Sequence, residues 1–332
     1  MKYFLKKIYF SIFASLLVII TVATTSYAWY SSNQNIQVSD FTIGISSSDD
    51  ANMAGLELSI DGINFSDSIS EIDMERAILI QKGYDALNLS DEEVESIFSN
   101  LHFYNATPDD TSNLNEGFKI INTDQSYSET DGYASFDLYL SISNEKYYVE
   151  DGIDIYFQSG EMATGENVSK ELMVTMPTHP VFGELPQTIT VNPVNAARIG
   201  VVVYDTMTKG KPVETSVVSN DIYTFSSNTP SLSDDGVYNF GGINTEYNAM
   251  LEYYNLIMAS QYGTLSIPND VSIREDELVY GQQIISSSLG CTTSTMVKVR
   301  FYIWLEGWDS DCFNAIIGAT SAYSIQLTTK NA

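Results

Sequence analysis

The sequence predicts a mainly β fold: a jelly-roll-like antiparallel β-sandwich with two short flanking helices. Apolar and polar residues alternate along several short runs, turn signals such as Asp-Gly separate those runs, and aromatic residues make up 12% of the chain. Alternation with a period of two places apolar side chains on one face of a strand. The aromatic content supplies enough apolar surface to offset the chain entropy that folding removes.

The first 28 residues predict an export signal. Three lysines precede an apolar run that begins at Ile8, and small residues lead to a cleavage site between Ala28 and Trp29. This order is typical of a secretory signal peptide. A retained transmembrane helix is the alternative, because the run is roughly long enough to cross ~30 Å of hydrocarbon. We therefore expect a secreted, extracellular protein of the cell surface that touches the membrane only through an uncleaved signal segment.

Three parts follow from this reading: a signal peptide at 1–28, an N-terminal strand at 29–46 and a β-sandwich domain with helical insertions at 47–332. Early strands are predicted at 41–46 and at 56–60, where the second run ends in an Asp61-Gly62 turn. An Asp-Gly pair supplies the positive φ angles of a tight hairpin.

A second Asp-Gly pair, Asp151-Gly152, stands between the alternating runs 133–143 and 152–159. We expect these two runs to form a hairpin.

The longest predicted strand is "TMVKVRFYIWLEG", residues 295–307, and a final strand is predicted in "SAYSIQLTT". Alternation gives the long strand two different faces. One face is apolar, with Val297, Val299, Phe301, Ile303 and Leu305. The other carries Lys298, Arg300, Tyr302 and Trp304.

Two segments are predicted to be helical. Ser90 to Leu101 begins with Ser90 and Glu93 in capping-box spacing and places its apolar residues on one face. Thr245 to Ser260 has a similar apolar stripe, with Gly263 soon after its end. Both are expected to cover a flank of the sandwich.

The net charge of the chain restricts which partners it can bind. The chain has 15 Lys and Arg against 43 Asp and Glu, for a net charge of −28, and the signal peptide holds three of the lysines and no acid. The mature protein is therefore more acidic still. Such a field repels nucleic acid and anionic lipid, so we expect neither as a partner.

The chemistry-bearing motifs of common enzymes are absent. The only histidines, His102 and His179, cannot form the His-Glu-x-x-His site of zinc proteases, and no Gly-x-Ser-x-Gly elbow or phosphate-binding glycine loop occurs. Two acids alone can hydrolyse a glycoside, but 43 acids make some such pair inevitable. The sequence therefore predicts no enzyme, no catalytic residue and no cofactor; a structural calcium ion in the acid-rich turns is the one metal left open.

Two late features suggest binding or stabilisation. Cys291 and Cys312 form a close pair that predicts a disulfide in an exported protein, with two free buried thiols as the alternative.

Trp304 and Trp308 flank Glu306 and could form an aromatic platform for a carbohydrate. A strand that leads into a turn explains Trp304 and Glu306 equally well.

The segment "TTSYAWYSSNQNIQVSDFTIGIS" resembles the N-termini of proteins processed by the SipW-type signal peptidase of Gram-positive bacteria, the TasA/camelysin-like family. The similarity covers about forty residues at the front, and "VRFYIWLEGWDSDCFNAIIG" is similar to the ending of other exported proteins with this type of N-terminus. The resemblance implies a jelly-roll-like sandwich whose freed N-terminal strand enters the sheet of the next subunit. The peptidase activity of camelysin is not carried over, because no zinc motif is present.

The resulting prediction is a non-enzymatic structural or cell-surface protein, a fibre or biofilm-matrix subunit that assembles by N-terminal strand addition. The resemblance implies that the donor strand lies within Trp29 to Ser46. Its inserting residues would be Ile36, Val38, Phe41, Ile43 and Ile45. The alternative is a surface adhesin or carbohydrate-binding module that recognises a glycan or another surface protein, and a hydrolase with paired acids is the third reading.

Overall fold

A computed structural model describes residues 37–45, 56–101, 104–120, 132–143, 153–158, 170–173, 188–191, 196–224, 231–232, 238–239, 255, 276–277, 282–285, 292–309 and 320–331. The helices are α1 (Glu71–Gln81) and α2 (Asp91–Phe98). The strands are β1 (Gln37–Ile45), β2 (Leu56–Ser59), β3 (Ala106–Pro108), β4 (Phe118–Ile120), β5 (Tyr133–Ile142), β6 (Ile153–Gln158), β7 (Lys170–Met173), β8 (Thr188–Val191), β9 (Ala197–Tyr204), β10 (Met207–Thr208), β11 (Val217–Thr224), β12 (Ser231–Leu232), β13 (Tyr238–Asn239), β14 (Asp276–Glu277), β15 (Gln282–Ile285), β16 (Thr295–Leu305) and β17 (Thr320–Asn331).

Two sheets contain most of these strands. The larger has seven strands in the order β14-β11-β9-β16-β5-β2, with β10 paired to β16, and the smaller has the order β1-β17-β6-β15. Most neighbours are antiparallel, whereas β1 with β17 and β11 with β14 are parallel. The predicted mainly β, antiparallel fold with two short helices is confirmed; the jelly-roll connection stays a prediction.

The strand β16 lies at the centre of the larger sheet, between β9 and β5. Its predicted apolar face is buried: Val297, Val299 and Phe301 have no exposed surface. The ring of Phe301 stacks on that of Phe136 from β5, with 5.0 Å between centroids. Such an aromatic pair contributes about 1 kcal/mol beyond the area that it buries.

The second face of β16 is also buried, because the segment 106–120 packs over it. Strands β3 and β4 form an antiparallel pair whose connection contains a 3-10 turn at Leu114–Glu116. Leu114 and Phe118 are fully buried against Tyr302 and Trp304. A connection that reads as a polar loop in the sequence therefore supplies the cover for the sheet.

Both predicted Asp-Gly turns can be compared with the structure. Gly62 has a φ of +70°, and Leu58 and Ser66 exchange two backbone hydrogen bonds around the Asp61-Gly62 turn. Residues 59–65 separate this pair and Asp61 has no positive φ, so the chain turns here but not in the tight hairpin that was predicted. The hairpin predicted at Asp151-Gly152 is wrong, because β5 belongs to the larger sheet and β6 to the smaller. Strand β5 pairs with β16 and β2 instead.

The helix predicted at Ser90 to Leu101 is confirmed as α2. Ser90 accepts a hydrogen bond from the Glu93 backbone, and the Glu93 carboxylate accepts one from the Ser90 backbone, which completes a capping box. Val94 and Phe98 are its buried residues. The helix predicted at Thr245 to Ser260 lies outside the described residues, apart from Asn255, which is helical.

Helix α1 was not predicted, although the sequence holds its signals. Ser70 caps it by accepting from the Asp73 backbone, and Gly83, with a φ of +86°, follows its end. The continuous apolar run at 77–80 hides the helical period, because residues on every side of the helix are apolar. A search for caps rather than for an amphipathic stripe would have found it.

The close approach of the 106–120 segment depends on Gly200. A Cβ atom on Gly200 would lie 2.2 Å from Cδ1 of Leu114 and 3.2 Å from Cζ3 of Trp304. We expect Gly200→Ala to lower the free energy of unfolding by about 1–3 kcal/mol, because the buried face has no room to repack. Chemical denaturation measures this change.

The control is to make Gly200→Ala in a protein that already carries Leu114→Ala. Leu114→Ala removes the clashing methyl group, and it lowers the free energy of unfolding by itself because buried packing is lost. Gly200→Ala should destabilise this background much less than it destabilises the natural chain. Equal costs in the two backgrounds would contradict the close contact.

Candidate functional site

The predicted donor strand forms one edge of the smaller sheet. Strand β1 pairs in parallel with β17, and its register aligns Phe41 with Tyr323 and Ile43 with Ile325, after an irregularity between Val38 and Asp40. Val38, Phe41, Ile43 and Ile45 of the predicted inserting residues lie in β1. Ile36 and the cleavage-site residues Ala28 and Trp29 lie outside the described residues.

Pairing in the smaller sheet joins the two ends of the chain. Strand β17 has β1 on one side and β6 on the other, so β17 is interior while β1 is at the margin. Helix α1 also lies against β1. Among the described residues, β1 is therefore attached through one ladder of backbone hydrogen bonds and through its contact with α1, and its removal would open one edge of β17 without separating β17 from β6.

The proposed tryptophan platform is corrected by the structure. Trp304 and Trp308 are only 3% and 7% exposed, so their rings offer no free face to a sugar. The indole Nε1 of Trp304 donates to Glu306 at 3.0 Å, and the backbone N–H of Trp308 donates to the same carboxylate at 3.2 Å. Glu306 therefore organises a buried turn at the end of β16.

Asp309, the first acid after the turn at the end of β16, is also internal. Asp309 is fully buried and accepts a charge-assisted hydrogen bond from Arg198 of β9, which is fully buried as well. A carboxylate paired in this way is not available as a calcium ligand. Among the described residues no group of three or more His, Cys, Asp or Glu side chains could hold a metal ion. The predicted Cys291–Cys312 disulfide and the other acid-rich turns lie outside the residues described.

A buried charge network crosses the second face of the larger sheet. Asp137 of β5 stands directly opposite Arg300 of β16 and accepts two hydrogen bonds from its guanidinium, at 2.6 and 2.9 Å. The ammonium of Lys298 lies 3.9 Å from Asp137, and the amide of Gln81 from α1 donates to it at 3.1 Å. Asp137 therefore joins two strands and a helix, and its pairing with Arg300 is bidentate.

Aromatic side chains surround the two cations. The Lys298 ammonium lies over the ring of Tyr204, 3.7 Å from its centroid. The hydroxyl groups of Tyr204 and Tyr302 both donate to Oδ1 of Asn115, at 2.9 and 2.8 Å. Burial lowers the pKa of Lys298 although Asp137 favours the charged form. Burial also raises the pKa of Arg300's neighbour Tyr302 to about 12.

Sequence reasoning placed Lys298 and Arg300 on one face of a strand but did not find Asp137. The available signal was a lone acid in the apolar run 133–143 and two cations in the run 295–307. Opposite charges at the centres of two long strands predict a cross-strand pair. The network links β5, β16 and α1.

No protein-family model matches the chain, and neither curated proteins nor solved structures give a match. Within the described residues, neither helix has the length and hydrophobicity needed to cross a bilayer. The edge strand β1 is thus the candidate site that the sequence and the structure share.

Removal of the Asp137 charge tests the buried network. We expect Asp137→Asn to lower the free energy of unfolding by about 3 kcal/mol, because it removes the counter-ion of the buried Lys298 and of Arg300, whose side chain is 20% exposed. The matched control is Glu57→Gln, which breaks a pair with Lys209 in which both side chains are 25% exposed. That change should cost less in the same denaturation experiment, because it breaks a single pair and water reaches both of its charges. Equal losses in the two variants would show that the network is effectively solvated.

The raised pKa of Tyr302 predicts a loss of stability in alkali. The folded protein holds the phenolic proton more tightly than the unfolded chain, so this contribution is complete below pH 10.0 and is lost as the pH rises towards about 12. Its size is about 2–3 kcal/mol. Denaturation midpoints across this range should fall less steeply for Tyr302→Phe than for the natural chain. The lowered pKa of Lys298 has the opposite effect, since it makes stability rise with pH, and it does so equally in the natural chain and in Tyr302→Phe. Parallel pH profiles for the two proteins would therefore refute the assignment to Tyr302.

Proposed function

We propose that the mature chain is an exported, non-enzymatic structural protein of the cell surface, a fibre or biofilm-matrix subunit. Its subunits exchange β1 so that residues 37–45 of one copy pair with β17 of the next. The observation that carries this proposal is the marginal position of β1, which is bound to β17 alone in the described sheet.

The backbone geometry suits an exchange between copies. The register from Gln37 to Ile45 spans most of β17, so an incoming strand of the same sequence can form the same ladder. Backbone hydrogen bonds supply affinity in strand addition, and side chains at alternate positions supply register. A swapped strand restores every contact that the closed monomer had, and exchange therefore costs little free energy at equilibrium.

The other margins of the sheets are less suited to exchange. In the larger sheet β2 has four residues, and Ser66 is bonded to Leu58 on its outer side. Short strands with a covered edge are the usual protection against unwanted pairing. Strand β1, with nine residues near one end of the chain, has no comparable covering strand among the described residues.

Net charge sets the conditions for assembly. A chain with a charge of −28 repels its own copies, and the loss of the signal lysines increases this repulsion. Salt shortens the range of the repulsion to about 8 Å at physiological ionic strength. Assembly should therefore be faster at moderate salt than at low salt.

Truncation tests the role of the strand. We expect residues 29–332 to form filaments in negative-stain electron microscopy, while residues 47–332, which lack β1, stay unassembled under the same salt conditions. A synthetic peptide of residues 36–46 should bind the shorter protein and should cap growing filaments of the longer one. Filaments from both proteins would refute strand exchange, and monodisperse particles from both would favour the adhesin alternative.

Cysteine pairing distinguishes exchange from any other contact. Chains with Phe41→Cys are mixed with chains with Tyr323→Cys, because these positions are paired in register. Adjacent strands hold paired Cα atoms within the ~4.4–6.8 Å that a disulfide allows. We expect an intermolecular cross-link, identified by mass spectrometry of the joined peptides. Phe41→Cys mixed with Leu327→Cys is the control, since those positions are four residues out of register and should not join.

A further inference from the structure

A cleft beside α1 shares no lining residue with β1 or with the buried charge network. It has a volume of about 380 Å³ and lies between the 59–66 turn, the first half of α1 and the connection between the two helices. This volume is in the usual range for a site that takes a small molecule or a short peptide. Its wall combines carboxylates, Asp61 and Asp73, with apolar side chains such as Phe65, Leu87 and Leu89.

The Asp61 carboxylate is held in place before any ligand arrives. Its Oδ1 accepts hydrogen bonds from the backbone N–H groups of Ile63 and Asn64, both at 2.8 Å, and its Oδ2 accepts from the Asn64 amide at 2.6 Å. Burial opposes ionisation, but these hydrogen bonds hold the pKa of Asp61 below its usual value. Asp61 therefore presents a fixed negative charge at the lip of the cleft.

The side-chain donors Arg76 and Asn64 at the cleft already have partners. Arg76 donates to the backbone carbonyls of Ala86 and Leu89, at 2.6 and 2.8 Å, forms an ion pair with Asp91 and lies 4.0 Å from Asp73. The amide of Asn64 donates to Oδ2 of Asp61, and the hydroxyl of Ser70 donates to Oδ2 of Asp73. Each of these two carboxylate oxygens can accept a second hydrogen bond. A ligand that fits must be rich in donors.

Charge and apolar exposure point to the same class of ligand. Acidic residues fill the segment 56–101, whose only basic residues are Arg76 and Lys82. Leu87 in the wall is 55% exposed, and Ile63 beside Asp61 is 60% exposed. Apolar side chains that remain in water beside a concave surface favour a partner that covers them.

From these contacts we infer that the cleft binds a lysine or arginine side chain of a partner peptide, with the aliphatic stem against Phe65 and Leu87 and the cationic head between Asp61 and Asp73. Lysine and arginine combine an apolar stem with three or more N–H donors. The partner is a basic segment of another protein with apolar residues on either side of the cation. This surface would let an acidic subunit capture a basic protein whether or not subunits exchange strands.

A sugar fits the same wall less well. Sugar hydroxyls need donors and acceptors together, and the side chains of Asn64, Ser66 and Arg76 already donate to protein acceptors. One face of Phe65 is occupied as well, because the Lys209 ammonium lies 4.5 Å from the centre of its ring. A glycan is therefore an outcome that would contradict the inference.

The test uses residues 29–332 and the blocked peptide acetyl-Leu-Lys-Leu-Lys-Leu-amide, with the same peptide carrying glutamine in place of lysine as the control ligand. Titration is followed by calorimetry and by backbone amide chemical shifts. We expect the lysine peptide to shift the amides of the 59–66 turn and of α1, and the glutamine peptide to bind about tenfold more weakly. Binding should weaken as salt rises from about 0.02 M to about 0.5 M.

Matched variants locate the site. Asp73 of α1 and Glu93 of α2 hold the same position in their helices, opposite the capping serines Ser70 and Ser90, but only Asp73 lines the cleft. Asp73→Asn should weaken the lysine peptide about fivefold, and Glu93→Gln should leave it within about 1.5-fold. Leu87→Ser should weaken it while Val213→Ser, a change at another exposed apolar residue, should not.

Several results would overturn the inference. Equal binding of the lysine and glutamine peptides would remove the role of the cation. Equal effects of Asp73→Asn and Glu93→Gln would assign the loss to helix capping. Shifts confined to other parts of the sheet, or a glycan that moves the 59–66 amides when the lysine peptide does not, would assign the cleft to another ligand or to none.

Discussion

The larger sheet depends on one cross-strand ion pair, Asp137 with Arg300. Strand β16 is covered on both faces, yet one face carries two cations. A buried charge without a partner costs several kcal/mol, so the second face can close only if an acid stands opposite. The register between β5 and β16 places this acid, because Asp137 is paired directly with Arg300. The same face is covered by 106–120 at Tyr302 and Trp304, and α1 contacts it through Gln81.

The larger and the smaller sheet are stabilised in different ways. The larger sheet is closed by side chains: a charge network, stacked rings and a glycine that admits Leu114. In the smaller sheet, β1 lies at the margin of the described strands, paired with β17 through a ladder of backbone hydrogen bonds and packed against α1. Because every copy of the chain has the same sequence, β1 of another copy can form the same ladder and the same contacts. Strand exchange is therefore compatible with a body that stays folded.

Acidity has different consequences at the surface and in the interior. At the surface it opposes contact between copies and favours a basic partner. In the interior the acids accept hydrogen bonds from protein donors: Asp309 from the cation of Arg198, and Glu306 from the neutral N–H groups of Trp304 and Trp308. The same residue type thus acts as a solvating group or as a structural acceptor, according to how much water reaches it and which donors are near.

The sequence by itself determined the mainly β class, the long strand at 295–307 with its two faces, the capping box of α2 and the Asp61-Gly62 turn. Each of these depends on residues close together in the chain, where period and capping chemistry act directly. The tertiary structure decided the rest. Whether the runs 133–143 and 152–159 pair, whether Trp304 is exposed and which acid neutralises Arg300 depend on segments far apart in sequence. Alternation shows that a strand has two faces, but only the packing of 106–120 and the register of β5 decide that both faces of β16 are buried.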